Sequence, residues 1–381
     1  MDSNYFLLFK TAAAEFRAWE HTSPEEKRAI LPIIELTRGR RRRGAGADLT
    51  EQQLISTPDI YAFEKILEKT EESFSGCPRV IMDITREEML NSFEINQLSL
   101  DTDGYKNWVT FIETQIEHYD ELIPTILVNP SNDDYEEYES NLIKQVNDAL
   151  DLCPGIAYRA AVLFDPGFLN DLEVVADDLN VAKQNGKEIF IILDHEFIRP
   201  GTSIIHAART LGIIERLNLL LPEATIVTLA TSFPRAIDDL GDPEHDVFPM
   251  EEVFLNEEIN RALKHSDVHY GDYGSINPTR NDIVFASGWR PRIDFPTANS
   301  RTFYYREKRD KKHTYDHHYT SVAQDVMNDE LFEELEGCWG YEKICEAATG
   351  IVPGKSPNFW ISVRMSIHIH QQIVRIFQGT S

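Results

Sequence analysis

The sequence predicts an α/β fold: a (β/α)8 TIM-barrel-like unit followed by a C-terminal α+β extension. Three observations lead there. Eight short apolar runs recur along the first 285 residues, and helical patterns lie between them. The third is spacing: successive runs lie about 25 to 50 residues apart, which suits one βα unit each. The right-handed crossover rule leaves few other ways to arrange eight consecutive βα units. A doubly wound open sheet is the main competitor. No G-x-G-x-x-G or G-x-x-x-x-G-K-[ST] follows the first run, so its nucleotide-binding versions lose support.

Each strand rests on a continuous apolar run bounded by Gly, Pro or Asn, the pattern of parallel strands buried on both faces. In order these are Tyr5–Phe9, Ile30–Leu36, Arg79–Ile84, Leu122–Val128, Ile156–Leu163, Glu188–Asp194, Ala224–Ala230 and the weaker Val268–Asp272. Between them, Ala12–Thr22 is alanine-rich. Pro58–Glu72 carries Ile60, Phe63, Ile66 and Leu67 at helical spacing. Tyr105–Glu117 and Tyr135–Leu150 follow, and Leu169–Asn185 places Leu172, Val175, Ala176 and Leu179 on one face. Thr202–Arg209 reads as a short helix, and Asn256–His265 precedes the last strand. Beyond that the composition shifts. Asn281–Thr302, with Pro291 and Pro296, reads as a loop; Arg301–Tyr305 has β character; Thr320–Glu336 and Trp360–Phe377 read as helices. The expected division is therefore a barrel over 1–285 and an extension over 286–381 that packs on it.

Composition limits the function classes. The 381 residues hold 37 Lys+Arg against 64 Asp+Glu, a net charge of −27, and 42% hydrophobic residues. That apolar content excludes intrinsic disorder as the main description. No run approaches the roughly 20 apolar residues of a membrane span. The N-terminus makes a poor signal peptide, and none of Cys77, Cys153, Cys338 and Cys345 forms a C-x-x-C pair. The expectation is a cytoplasmic protein with no membrane association. So acidic a chain is a poor partner for bare nucleic acid over its whole surface. Arg38–Gly46 is the exception. Arg40, Arg41, Arg42 and Arg43 sit in a glycine-flanked loop that could hold a phosphate, a nucleotide or a nucleic-acid strand, or could be solvated or paired with acids of the same chain.

In such a barrel the working residues come from the C-terminal ends of strands. Here these ends carry Lys10, Glu35, Asp83, Asp194, His195 and Asp272. Glu35, Asp83 and Asp194 come from three strands, and carboxylates brought together repel, raise a pKa or hold a divalent cation. His195 would move a proton and Lys10 would hold a phosphate, the set of a metal-assisted phosphoester hydrolase. The opposing reading is that Lys10 pairs with Glu35 and neutralises both. The segment His269–Pro278 adds Tyr270, Tyr273 and Ser275 as a ligand loop, or as a tight turn closing the barrel seam. His368 and His370 lie two apart on a helix, which points their rings to different faces and argues against one shared metal. No H-E-x-x-H, G-x-S-x-G or S-x-x-K occurs in the context those chemistries need.

Four segments carry a family resemblance: Phe9-Lys10 with Glu15, Leu31-Pro-Ile-Ile-Glu35, Tyr270-Gly-Asp-Tyr-Gly274, and a tail with Phe303-Tyr-Tyr305, Phe359-Trp360, His368 and Gln371-Gln372. With these the chain resembles the phage beta-protein family across nearly its whole length. Arg309-Asp310 departs from the glycine that usually follows the basic tail strand. The resemblance implies a barrel-like fold and a link to phage–host conflict, with no established reaction. Two functions are therefore expected to compete: an interaction or sensor protein that docks a protein partner, and a metal-assisted hydrolase of a phosphate ester, nucleotide or nucleic-acid end.

Overall fold

A computed structural model describes residues 5–129, 132–236, 244–263, 268–279, 289–310 and 312–378. Strands and helices alternate from the start: β1 (Tyr5–Lys10), α1 (Ala13–Glu20), α2 (Pro24–Ala29), β2 (Ile30–Leu36), α3 (Glu51–Ser56), α4 (Phe63–Phe74), β3 (Val80–Ile84), α5 (Phe93–Leu98), α6 (Thr102–Gln115) and β4 (Leu122–Pro124). The second half continues with α7 (Tyr135–Leu152), β5 (Gly155–Ala161), α8 (Phe168–Gln184), β6 (Glu188–Phe197), α9 (Ser203–Leu220), β7 (Thr225–Thr231), β8 (His245–Pro249), α10 (Glu251–Ala262) and β9 (His269–Asp272). The chain ends with β10 (Arg292–Pro296), β11 (Arg301–Arg306), α11 (Tyr315–Met327), α12 (Trp339–Ala348) and α13 (Pro357–Gln378).

Eight of these strands form one all-parallel sheet in the order β4-β3-β2-β1-β9-β7-β6-β5. A bridge between Thr125 and Ala157, with the Ile126 amide donating to the Ala157 carbonyl at 2.7 Å, joins the two ends. The fold is TIM-barrel-like, as the alternation predicts. Side chains of period two divide each strand between two layers. Phe6, Leu8, Ile33, Ile81, Phe190, Ile192 and Leu229 fill the interior. Tyr5, Leu7, Phe9, Ile34 and Met82 face helices outside, as do Ile191 and Leu193 on the far wall. Both layers being dry explains why the strands read as unbroken apolar runs. Helix starts follow local chemistry: Ser23 with Glu26 makes a reciprocal cap on α2, and Thr50 with Gln53 makes one on α3.

A three-stranded antiparallel sheet, ordered β10-β11-β8, carries a separate core with α11, α12 and α13. Helix α13 joins the cores: Met365 and Ile369 pack on the barrel, Trp360, Val363 and Ile367 on the small sheet. The expected boundary at 285/286 lies outside the described residues, and β8, from before it, pairs with β11, from after it.

Several local expectations need correction. The short helix over Thr202–Arg209 runs on to Leu220, because Thr210, Ile214 and Leu217 continue its buried stripe. Arg292–Pro296, expected as loop, is a strand, with Pro296 at its end, where a missing N–H is tolerated. The helix expected over Thr320–Glu336 begins at Tyr315, where Thr314 caps it, and stops at Met327. Helix α12 and strand β8 have no counterpart among the elements expected from the sequence.

Candidate functional site

Lys10, Glu35, Asp83 and Asp194 come together at the C-terminal end of the barrel. The three acids converge on Arg159 of β5, a residue that strand-end reasoning passes over. Arg159 is 5% exposed. Its Nη1 donates to Glu35 Oε2 at 2.7 Å and to Asp83 Oδ2 at 2.9 Å, and its Nε donates to Asp194 Oδ2 at 2.8 Å. Nη2 donates to the Tyr273 hydroxyl at 3.1 Å, and that hydroxyl donates to Asp194 at 2.7 Å. Thr125 donates to Asp83 Oδ1 at 2.7 Å. Lys10 Nζ lies 3.4 Å from Glu35 Oε1 and donates to the Pro278 carbonyl.

Parity explains the convergence. Ala157 points inward on β5, so Arg159 does too, and Asp194 follows Phe190 and Ile192 inward on β6. One guanidinium has enough donors in a fixed fork to serve three acids at once. Burial alone would raise Glu35, but the charges of Lys10 and Arg159 and hydrogen bonds from Arg159 and Thr85 bring it down to about 2. Burial, reinforced by Asp194, keeps the Tyr273 phenol protonated and donating. The cluster is thus three carboxylates held by two cations. The centre, where a divalent cation would sit, is filled by the guanidinium. Among the described residues no group of three His, Cys, Asp or Glu side chains is arranged to hold a metal ion.

Other expected site residues lie elsewhere. His195 follows Asp194 and therefore faces outward, against α9. Its Nδ1 lies 3.3 Å from His206 Nδ1 and its Nε2 3.1 Å from Thr210 Oγ1. Burial, then the nearby His206 and Arg209, push it down to about 3, so it is neutral. Asp272 also faces outward, between β1 and α13. It accepts from Tyr5 at 3.0 Å, from Tyr270 at 2.7 Å and from the Gly274 amide at 2.7 Å, and it pairs with His368 Nε2 at 2.7 Å. His370 pairs instead with Glu26 at 2.8 Å, so the two histidines do diverge. Tyr270 and Tyr273 are both buried, on opposite sides of the wall, and Ser275 is buried with φ +62° just after Gly274.

The arginine loop rises from β2, at the same end of the barrel as Glu35. Arg40, Arg41, Arg42 and Arg43 are all exposed. Arg41 donates to the carbonyls of Ala45 and Gly46 in its own loop. Arg42 pairs with Glu64 at 2.8 Å. Arg40 and Arg43 have no side-chain partner among the described residues. A hollow of about 340 Å³ lined by Asn147, Asp151, Asp177, Asp178 and Lys187 sits between α7 and α8 and shares no residue with the mouth.

A lone arginine inside the apolar run Ile156–Leu163 was the legible signal for Arg159. A charge in a strand buried on both faces must find partners.

Known proteins add three findings. A family model described as Beta protein matches residues 5–374. Protein beta of Enterobacteria phage P4 is 27% identical over 372 residues, covering 97% of this chain and 93% of that one. A crystal structure of chitinase from Chromobacterium violaceum ATCC 12472 aligns with 96% of this chain and 99% of its own, at 10% identity and a TM-score of 0.32, too low to support any argument.

Proposed function

The chain belongs to the Beta protein family, and from that premise we propose that it is a component of phage–host conflict working as a barrel-shaped interaction or sensor protein. The relative in phage P4 supports the setting. The observation that carries the mode of action is the saturated centre of the barrel. Arg159 engages Glu35, Asp83 and Asp194 together, and Lys10 lies against Glu35. A hydrolase that used these acids on a cation would first have to displace a permanently charged guanidinium from a buried site. The acids act instead as a polar plug that holds the strand ends together.

The partner is then met on the surface. Arg40 and Arg43 give an acidic protein an exposed basic prominence, suited to an acidic protein surface, with a nucleotide or nucleic-acid strand as the other anion it could take. The test is phage plating on cells that express the wild-type chain, an Arg40→Glu/Arg43→Glu variant, or Asp194→Asn. Circular dichroism would establish that each variant is folded. The expected result is altered plating with the wild type, its loss on charge reversal, and its retention with folded Asp194→Asn. Loss with folded Asp194→Asn alone would favour the hydrolase. An unaltered plating efficiency with the wild type would refute a role in phage conflict.

A further inference from the structure

We propose that Glu196 and Arg86 form a binding site on the barrel mouth for a small phosphorylated molecule that also carries hydroxyl or amino donors. This goes beyond the docking reading above and stands or falls without it. The starting point is an irregularity in β6. Asp194 pairs with Leu229 and Phe197 with Thr231, so β6 advances three residues while β7 advances two. The extra residue is a bulge at the C-terminal end of a barrel strand, where bulges re-aim side chains. Glu196 lies within it at φ +53°, a left-handed conformation that glycine adopts freely and glutamate does not.

The fold itself gives no reason for a glutamate there. The Glu196 amide donates to Asp194 Oδ1 at 2.8 Å, a bond any residue but proline could make. Its carboxyl has no hydrogen-bond or ion-pair partner among the described residues, unlike Glu35, Asp83 and Asp194 beneath it. Yet Glu196 is half-buried, and its own backbone amide ties it to Asp194, a partner of Arg159 at the mouth. Burial and then Asp194 raise its pKa, while Arg159, Arg86 and Lys10 oppose the rise. A strained, half-buried acid with nothing to bind in its own chain is the pattern of a group kept for a ligand.

Arg86 supplies the complementary charge. It follows β3, is exposed, and reaches past β4 to donate through Nη2 to the Arg159 carbonyl of β5. No other partner holds its remaining guanidinium donors among the described residues. A guanidinium recognises a phosphate, and a carboxyl beside it accepts from hydroxyl or amino groups. Sugar phosphates and nucleotides both present that pair of groups; inorganic phosphate presents only the first.

Calorimetric titration of the full chain with inorganic phosphate, ribose 5-phosphate and adenosine monophosphate tests the site. At least one of the two organic phosphates should bind, with inorganic phosphate about tenfold weaker or more. Binding of both assigns recognition to the sugar phosphate; binding of the nucleotide alone assigns it to the base. Arg86→Met and Glu196→Gly should each weaken binding by about tenfold or more. Glu196→Gly should also raise the melting midpoint by about 1–2 °C, because it removes the left-handed strain. If the glycine variant folds poorly, Glu196→Asn, which also tolerates this φ, should keep or raise the wild-type midpoint and lose binding. No binding by any of the three up to about 1 mM overturns the proposal, a concentration at which even weak sites fill. So does equal binding of inorganic phosphate. A lower midpoint for both Glu196 variants overturns it too, since the side chain would then serve the fold.

Discussion

Replacing Arg159 with methionine removes the one cation that touches Glu35, Asp83 and Asp194 together, and leaves acids that are 1%, 1% and 2% exposed. Breaking a buried pair from one side costs about 3–5 kcal/mol. The Glu35 shift, which Lys10 and Arg159 produce together, sets an upper bound on the part lost through that one acid. Glu35 sits at about 2 instead of 4.5, and a shift of that size is worth about 3 kcal/mol at neutral pH. Unfolding entropy for 381 residues is about 0.8 kcal/mol/K, so a loss of 3–5 kcal/mol lowers the melting midpoint by about 4–6 °C. The sign with pH also follows. The native pKa of Glu35 is depressed, so its stabilising contribution is present above about pH 4.5 and fades as the pH falls towards 2. The gap between wild type and Arg159→Met should therefore be widest near pH 7 and narrow on acidification. Thermal unfolding followed by the fluorescence of buried Trp19 and Trp108, at several pH values, measures it. A drop of less than about 1 °C at pH 7, or a gap that widens in acid, would refute the view that the guanidinium holds these strand ends together.

Glu252 should behave in the opposite sense. Burial pushes it up to about 7 against hydrogen bonding from Ser232, so the stability its neutral form allows is lost as pH rises through 7. Glu252→Gln should match wild type near pH 4 and exceed it by up to about 3 kcal/mol at pH 8, read by thermal melts across that range. Asp272→Ala leaves His368, Tyr5 and Tyr270 without their shared acceptor, and should cost about 3–5 kcal/mol. Hydrogen exchange should then quicken first in β1 and α13, and uniform protection would count against this. Burial raises the thiols of Cys77, Cys153 and Cys338 to about 11 each, whereas Cys345 is half-exposed. A maleimide should label the native chain fast at Cys345 and slowly elsewhere, as peptide mapping would report.

Sequence and structure agree most closely where a single segment decides the outcome. Unbroken apolar runs such as Ile30–Leu36 and Val80–Ile84 become buried strands, and their polar ends, Glu35 and Asp83, are paired in register on β2 and β3. The divergence of His368 and His370 also follows from helix geometry alone. Legibility fails where a face must be assigned. Asp194 and His195 are neighbours in the chain, yet one belongs to the barrel centre and the other to the packing against α9. Asp272 and Tyr273 divide in the same way, with Asp272 given to α13 and Tyr273 to the centre. Strand β8 escapes notice because it is completed by β11, from a later part of the chain.

The amino-acid order by itself determined that eight barrel strands form, that they are buried on both faces, and that acids stand at several of their ends. Those properties depend on side chains a few residues apart and on the drive to remove them from water. Which acids meet, and what neutralises them, was decided only by closure of the barrel. Arg159 reaches its partners across 35, 76 and 124 residues of chain. Electrostatic pairing depends on distance in space, and no local pattern encodes that distance until the ring is closed.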